Sequence, residues 1–263
     1  MSSLSLALLV AVAGATLWVI TRRRSLQHQT RSNDLATVPA LFPLQEHTMT
    51  PTTNITIIGA GNMGKGIAHV AARGGYPVTI IDRNADDAAS LASELQAANP
   101  GAAVQSGTLN GPLSDVVVLA TWYTNAQEIA QSLKGQLAGK VVVDISNPLT
   151  ADFTGLAIAG DTSAAEELVQ LIPDARVIKA FNTTFAGTLV AGQVTGQPLD
   201  VLIAGNDQEA KNTIAALVNA GGLRGIDVGP LERARQLEGL GFLGIQLQFT
   251  QNTNFASAWK FLA

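Results

Sequence analysis

The chain has 263 residues, of which 47% are apolar and only 14% charged, with a formal net charge of −4. That allows one large domain or two small ones with ample core, and it excludes disorder for the bulk of the chain. The basic residues form no patch beyond Arg22, Arg23 and Arg24, which argues against nucleic acid as a partner. Cysteine is absent, so disulfides, thiolate metal sites and a cysteine nucleophile are excluded. The three histidines, His28, His47 and His69, are too scattered for a zinc site.

Mean hydropathy is +0.24, and the first twenty residues supply much of it. Leu4 to Ile20 carries no charge, and at ~1.5 Å per helical residue it reaches about 26 Å, the short end of a bilayer span. The arginine triplet follows at once, and nothing basic precedes the run. One reading is a membrane anchor whose carboxyl side faces the cytoplasm. The other is an upstream extension or a cleaved targeting segment, because Met49 stands five residues before the first predicted strand. Residues 25–53 are polar, with Pro39, Pro43 and Pro51, and read as a linker. Residues 1–53 thus form an anchor or targeting segment with its linker. Without the four arginines and two acids of residues 1–48, the remainder has 12 basic and 18 acidic residues, a charge of −6.

From Asn54 onward, strand and helix patterns alternate. Strands are predicted at 55–58, 78–81, a weak one at Val104, 116–120 and 141–145. Helices are predicted at 64–74, 86–98 and 126–133. Continuous β-branched runs of this kind suit a parallel sheet covered on both faces, and the alternation implies a doubly wound α/β domain over 54–150. A smaller α/β extension, 151–263, follows. Its helices are predicted at 164–171, 207–220 and 231–248, and its strands at 177–181, 201–204 and 225–228. It is expected to bind the substrate or acceptor.

Gly59-Ala60-Gly61-Asn62-Met63-Gly64 follows a strand and opens a helix, the context that a Rossmann dinucleotide loop requires. Gly59 permits a tight turn, Gly61 lets the backbone approach a pyrophosphate, and Gly64 lets helix and strand pack closely. Asp82 ends the second strand, where an acid hydrogen-bonds the adenine ribose. It favours NAD over NADP, with Arg83 as the opposing residue because its guanidinium suits a 2′-phosphate. NAD(P) is therefore the expected cofactor, with a lean to NAD.

Ala120, Thr121 and Trp122 end the fourth strand, and Asn147 and Pro148 follow the fifth, all at the ligand-binding edge of such a sheet. They are read as lining the nicotinamide pocket, with Asn147 on the carboxamide. Lys179 is read as an exposed strand end, with a substrate-binding cation as the alternative, His69 as a surface histidine, and Asn206-Asp207 as a helix start. Gly239, Gly241 and Gly244 in the last helix predict close approach of another surface, either a second subunit of a homodimer or a flat cofactor. A frayed helix is the alternative.

The ordered set ITIIGAGNMGKGIA (55–68), DVVVLATWY (115–123), GKVVVDISNPL (139–149), Lys179-Ala180-Phe181-Asn182-Thr183, Ala204-Gly205-Asn206-Asp207 and GPLERARQLE (229–238) resembles the NADP oxidoreductases dependent on the deazaflavin coenzyme F420. These belong to the wider superfamily that holds pyrroline-carboxylate reductase. The resemblance implies hydride exchange between a nicotinamide nucleotide and a deazaflavin- or flavin-like acceptor, with coenzyme F420 as second substrate and Asn182 and Thr183 facing the acceptor. The chain departs from the family at Ile81-Asp82-Arg83, where a glycine-serine-arginine stretch commonly holds the 2′-phosphate, and at Thr121, where proline often precedes tryptophan. No cysteine, tyrosine–lysine pair or well-placed histidine offers a proton donor, which fits exchange between two rings better than ketone chemistry. An imine or hydroxyacid reductase, or a dinucleotide-binding sensor without turnover, are the alternatives.

Overall fold

The computed structural model describes residues 53–158 and 160–263; the expected anchor at 4–20 and nearly all of its linker lie outside these residues. The first half runs β1 (Ile55–Ile58), α1 (Asn62–Arg73), β2 (Val78–Ile81), α2 (Ala85–Ala98), β3 (Val104–Ser106), β4 (Val116–Leu119), α3 (Tyr123–Ser132), α4 (Lys134–Leu137) and β5 (Val141–Asp144). The second half runs α5 (Ala164–Leu171), β6 (Arg176–Lys179), α6 (Ala186–Ala191), β7 (Gln193–Val194), β8 (Gln197–Pro198), β9 (Asp200–Gly205), α7 (Gln208–Ala220), β10 (Arg224–Gly229), a 3-10 turn (Leu231–Arg233) and α8 (Ala234–Gln251). Among the described residues no helix is long and apolar enough to cross a membrane.

Eight strands form one sheet in the order β10-β9-β6-β5-β4-β1-β2-β3. The six from β3 to β6 are parallel, and β9 turns antiparallel against β6. The strand order reverses between β1 and β4, the switch point at which doubly wound sheets open a crevice. Of the five strands after residue 150, β6, β9 and β10 extend this same sheet, and β7 and β8 pair apart from it as a two-stranded hairpin.

The strands are buried on both faces, and successive residues feed opposite cores. Ile55, Ile57, Val116, Val118, Val141 and Val143 pack with Ile67 and Val70 of α1, Leu91 of α2 and Ile214 of α7. Ile58, Val117, Leu119 and Val142 pack with Ala126 and Ala130 of α3, Leu168 of α5 and Leu231. His69, expected at the surface, is buried on α1; its Nε2 lies 3.5 Å from Glu94 and makes no hydrogen bond.

Two elements carried no readable pattern. The six-residue α6 packs on α1, where a Cβ on Gly66 would come within 2.9 Å of Leu189, and Arg73 donates to the Leu189 and Val190 carbonyls at its end. The β7–β8 hairpin turns on Thr195 and Gly196, both at positive φ, as a two-residue hairpin turn requires. At the far edge, β10 is bulged between Asp227 and Gly229. There the Asp227 carboxylate accepts from the Gly229 N–H, Lys211 and Gln208.

Candidate active site

The crevice at the switch point is built first by glycines. Gly59 sits at φ +117°, and a Cβ there would lie 2.4 Å from the Ala120 carbonyl oxygen. A Cβ on Gly64 would lie 1.8 Å from the Gly59 carbonyl oxygen. These two positions are closed to any larger residue. Gly61 is the opposite case: it is exposed, with φ −68°, and a Cβ there would meet nothing within 4 Å. The loop is thus packed tightly from below and open above Gly61, where Asn62 is also exposed and Ala60 and Met63 are half-buried.

Side-chain caps divide the helices. Asn84 caps α2, Ser163 caps α5 and Asp207 caps α7, each accepting a backbone N–H. The last confirms Asn206-Asp207 as a helix start. The two helices that begin beside the crevice, α1 after Gly61 and α3 after Trp122, have no side-chain cap. Their first N–H groups remain available to an anion.

Asp82 lies at the end of β2 and reaches back to this loop. Its Oδ2 accepts the Ala60 N–H at 2.7 Å and its Oδ1 accepts the Asn84 N–H at 2.9 Å. Each oxygen keeps a further lone pair. Arg83 is exposed beside it. Across the crevice, Ala120 is buried and Thr121 half-buried. Trp122 is 64% exposed and meets Phe153 edge-on, with centroids 6.1 Å apart. Asn147, the buried Pro148 and the buried Asn182 and Thr183 follow β5 and β6 on the same carboxyl edge of the sheet. Of the residues singled out in the sequence, Gly59 to Gly64, Asp82 and Ala120 make direct contact or approach one another closely. Asn147 and Asn182 form a second group.

That second group stands on charges. Lys179, expected at an exposed strand end, is wholly buried. Its Nζ donates to Asp144 Oδ2 at 2.8 Å, Glu238 Oε1 at 2.7 Å and the Ser146 carbonyl at 2.6 Å. Burial pushes its pKa down, but the two carboxylates outweigh that and hold it above the ordinary lysine value. Burial pushes Glu238 up, against the pull of Lys179. Glu238 also accepts the Ala164 N–H at the start of α5. The correction has a simple cause: the partners that permit burial lie 35 residues before Lys179 and 59 after it, beyond any local pattern. Each nonetheless sits in a motif already singled out, Asp144 in GKVVVDISNPL and Glu238 in GPLERARQLE.

Two of the three glycines of α8 lie close against the chain itself. A Cβ on Gly241 would lie 2.5 Å from Asn147 Oδ1, and one on Gly244 would lie 3.1 Å from Trp259. Only Gly239 faces open space. Tyr123, at the start of α3, donates its hydroxyl to Glu167. Burial and that carboxylate push the phenol up to about 12. Among the described residues no cluster suits a metal ion. A cavity of about 410 Å³ lies at the opposite end of β1 and β2, lined by Asn54, Pro77, Val104 and Ser114 among others; it is remote from these groups, and the open crevice, not the cavity, holds the ligand-binding geometry.

A sequence profile of the NADP oxidoreductases dependent on coenzyme F420 matches residues 54–148. The F420-dependent NADP reductase of Methanothermobacter marburgensis is 31% identical over 192 residues, which cover 68% of this chain and 85% of that protein. The chain belongs to this reductase family. Other relatives share less of their length: the chain covers 58% of the F420-dependent NADP reductase of Methanocaldococcus jannaschii, at 34% identity, and 36% of rat metalloreductase STEAP3, at 32%. Among solved structures, a putative F420-dependent NADP-reductase from Arthrobacter sp. FB24 superposes with a TM-score of 0.68 at 29% identity, covering 80% of this chain and 99% of that one. A pyrroline-5-carboxylate reductase from Coxiella burnetii, at 19% identity and a TM-score of 0.54, shares the fold.

Proposed function

We propose that this member of the reductase family transfers a hydride between a nicotinamide nucleotide and a flat acceptor of the deazaflavin or flavin class. The observation that carries this reading is the loop that is closed beneath Gly59 and Gly64 but open at Gly61, at the mouth of an uncapped helix and at the switch point of the sheet. The residues fit a dinucleotide. Gly61 and the first N–H groups of α1 would hold the pyrophosphate, and Asp82 the adenine ribose. The nucleotide, when bound, supplies the hydride. The chain's part is alignment and exclusion of water: Ala120, Thr121, Trp122, Asn147 and Pro148 line the nicotinamide side, and Asn182 and Thr183 the acceptor side.

The ionisable proton carriers beside this edge are already engaged. Tyr123 is tied to Glu167, and Lys179 is sealed in its ion cluster. Two ring systems exchanging a hydride need none placed there. Asp82 sets the finer choice of nucleotide. A charged hydrogen bond to the ribose is worth roughly 1.5–3 kcal/mol, and a 2′-phosphate would meet the same carboxylate. Arg83 opposes this, so NADH is favoured over NADPH by a modest margin.

The test is turnover by the purified full chain with NADH or NADPH and, as acceptors, coenzyme F420, FMN and a cyclic imine. Reduction of F420 or FMN but not of the imine is expected. Reduction of the imine alone would assign the chain to the imine reductases. Tight nucleotide binding with no turnover would assign it to dinucleotide sensing.

A further inference from the structure

The loop after β5 is fixed at one residue, through the peptide groups on either side of it, by two charged side chains. Asp144 Oδ1 accepts the Ser146 N–H at 2.9 Å, and Lys179 Nζ donates to the Ser146 carbonyl at 2.6 Å. Held from both sides, Ser146 sets the direction in which Asn147 leaves the strand. Asn147 then exchanges two hydrogen bonds with Asn182: its Nδ2 donates to the Asn182 carbonyl and its Oδ1 accepts from Asn182 Nδ2, each at 2.9 Å. One N–H of the Asn147 amide remains for a ligand carbonyl. Asn182 Nδ2 also donates to the Leu237 carbonyl on α8 at 2.8 Å. The next residue, Glu238, returns to Lys179. The bonds close a circuit through the ends of β5 and β6 and α8, and Gly241 lies over Asn147 as its roof.

Stability alone does not account for this circuit. Apolar residues of similar volume commonly stabilise as well as a buried ion cluster or better. The circuit also leaves Ser146 Oγ and Asn182 Oδ1 buried without partners, an unfavourable state that native interiors mostly avoid. It ends, moreover, on Phe181, a bulky residue at φ +64° immediately before Asn182, the sort of strain that gathers where a site must be held in one geometry. What the arrangement achieves is one fixed direction for the free N–H of Asn147.

We propose that Lys179, with Asp144 and Glu238, is a positioning residue that aims Asn147 at the nicotinamide carboxamide. This rests on the dinucleotide reading above. Lys179 touches no ligand; it acts through the Ser146–Asn147 peptide. Its loss therefore weakens recognition of the nicotinamide half of the nucleotide and spares the adenosine half, which binds at Gly61 and Asp82.

The test is titration of wild type, Lys179→Met, Asn147→Ala and the double variant with NADH and with ADP-ribose, which lacks the nicotinamide; for NADPH the matching fragment is 2′-phospho-ADP-ribose. Both single variants should bind ADP-ribose within twofold of wild type and NADH at least tenfold more weakly. The double variant should be no more than twofold weaker than either single one, because the two residues act as a unit. If Lys179→Met does not fold, Glu238→Gln takes its place, with at least a threefold loss for NADH alone. A folded variant that keeps its NADH affinity, or loses both ligands equally, overturns the proposal, as does an additive double variant. A wild type that binds neither ligand overturns the dinucleotide reading instead.

Discussion

The two sides of the crevice are made in different ways. On the β1–β2 side, the surface of the proposed site is mostly backbone: three glycines and an uncapped helix, with one carboxylate that spans two turns. On the β5–β6 side, it is side chains held by other side chains, down to a buried lysine with three acceptors. A backbone site tolerates no added atoms where it is packed from below, at Gly59 and Gly64, but needs few partners. A side-chain site depends on every partner and does not survive the loss of one charge. The first suits a pyrophosphate common to many enzymes, and the second suits the aiming of one ring.

The sharpest break should come on the side-chain half. Lys179→Met leaves two carboxylates buried without their cation and should cost about 3–5 kcal/mol of stability, measured by urea unfolding. On the backbone half, Gly64→Ala drives a methyl group into the Gly59 carbonyl and should cost about 3 kcal/mol in the same assay. Gly61→Val should behave differently from its neighbour. A Cβ there has no protein atom within 4 Å, so stability should hold to within about 1 kcal/mol, while NADH affinity falls by at least about a hundredfold, or 2.7 kcal/mol. NADH fluorescence would show this, and an unchanged affinity would remove the nucleotide from this loop.

A smaller effect is expected at Asp82. Wild type should favour NADH over NADPH in kcat/KM, and Asp82→Ser should move the ratio toward NADPH by about tenfold, roughly 1.4 kcal/mol, because Arg83 is then free to meet a 2′-phosphate. A wild type that prefers NADPH tenfold would mean that Asp82 serves the loop, through Ala60 and Asn84, and not the ribose. The smallest effect lies where the two halves meet, at the start of α3. The Tyr123 phenol is pushed up to about 12 by burial and Glu167, so the folded state favours its neutral form. That contribution is fully present below the unfolded pKa of about 10 and is lost as pH rises from there through 12. Burial also raises the other tyrosine, Tyr76, so an absorbance titration should show one late-ionising phenol fewer in Tyr123→Phe than in wild type.

The same division explains what could be read in the sequence. The strands at 55–58 and 78–81 are predicted to the residue, because β-branched runs buried on both faces leave no alternative. The glycine loop is legible because each glycine answers a local steric demand. α6 was not, since it is six residues long and without a side-chain cap. The burial of Lys179 is not legible in the sequence, because a charged residue at a strand end is ordinarily exposed and only the folded chain brings Asp144 and Glu238 to it. The close approach required by Gly241 was legible from α8, but its partner, Asn147, was not.

The edges of the sheet bear on how this protein behaves at high concentration. A long flat edge strand invites pairing with another chain. Here one edge, β3, is only three residues long. The other, β10, has its register broken by the bulge after Asp227, whose carboxylate takes the Gly229 N–H. The carboxyl-terminal tail comes back to the start of the same edge, where Asp200 accepts from Arg224, Lys260 and the Phe261 N–H. Loss of the last few residues would therefore do more than shorten the chain: it would unlatch the region where β9 and β10 begin, and turn a guarded edge into a template for aggregation.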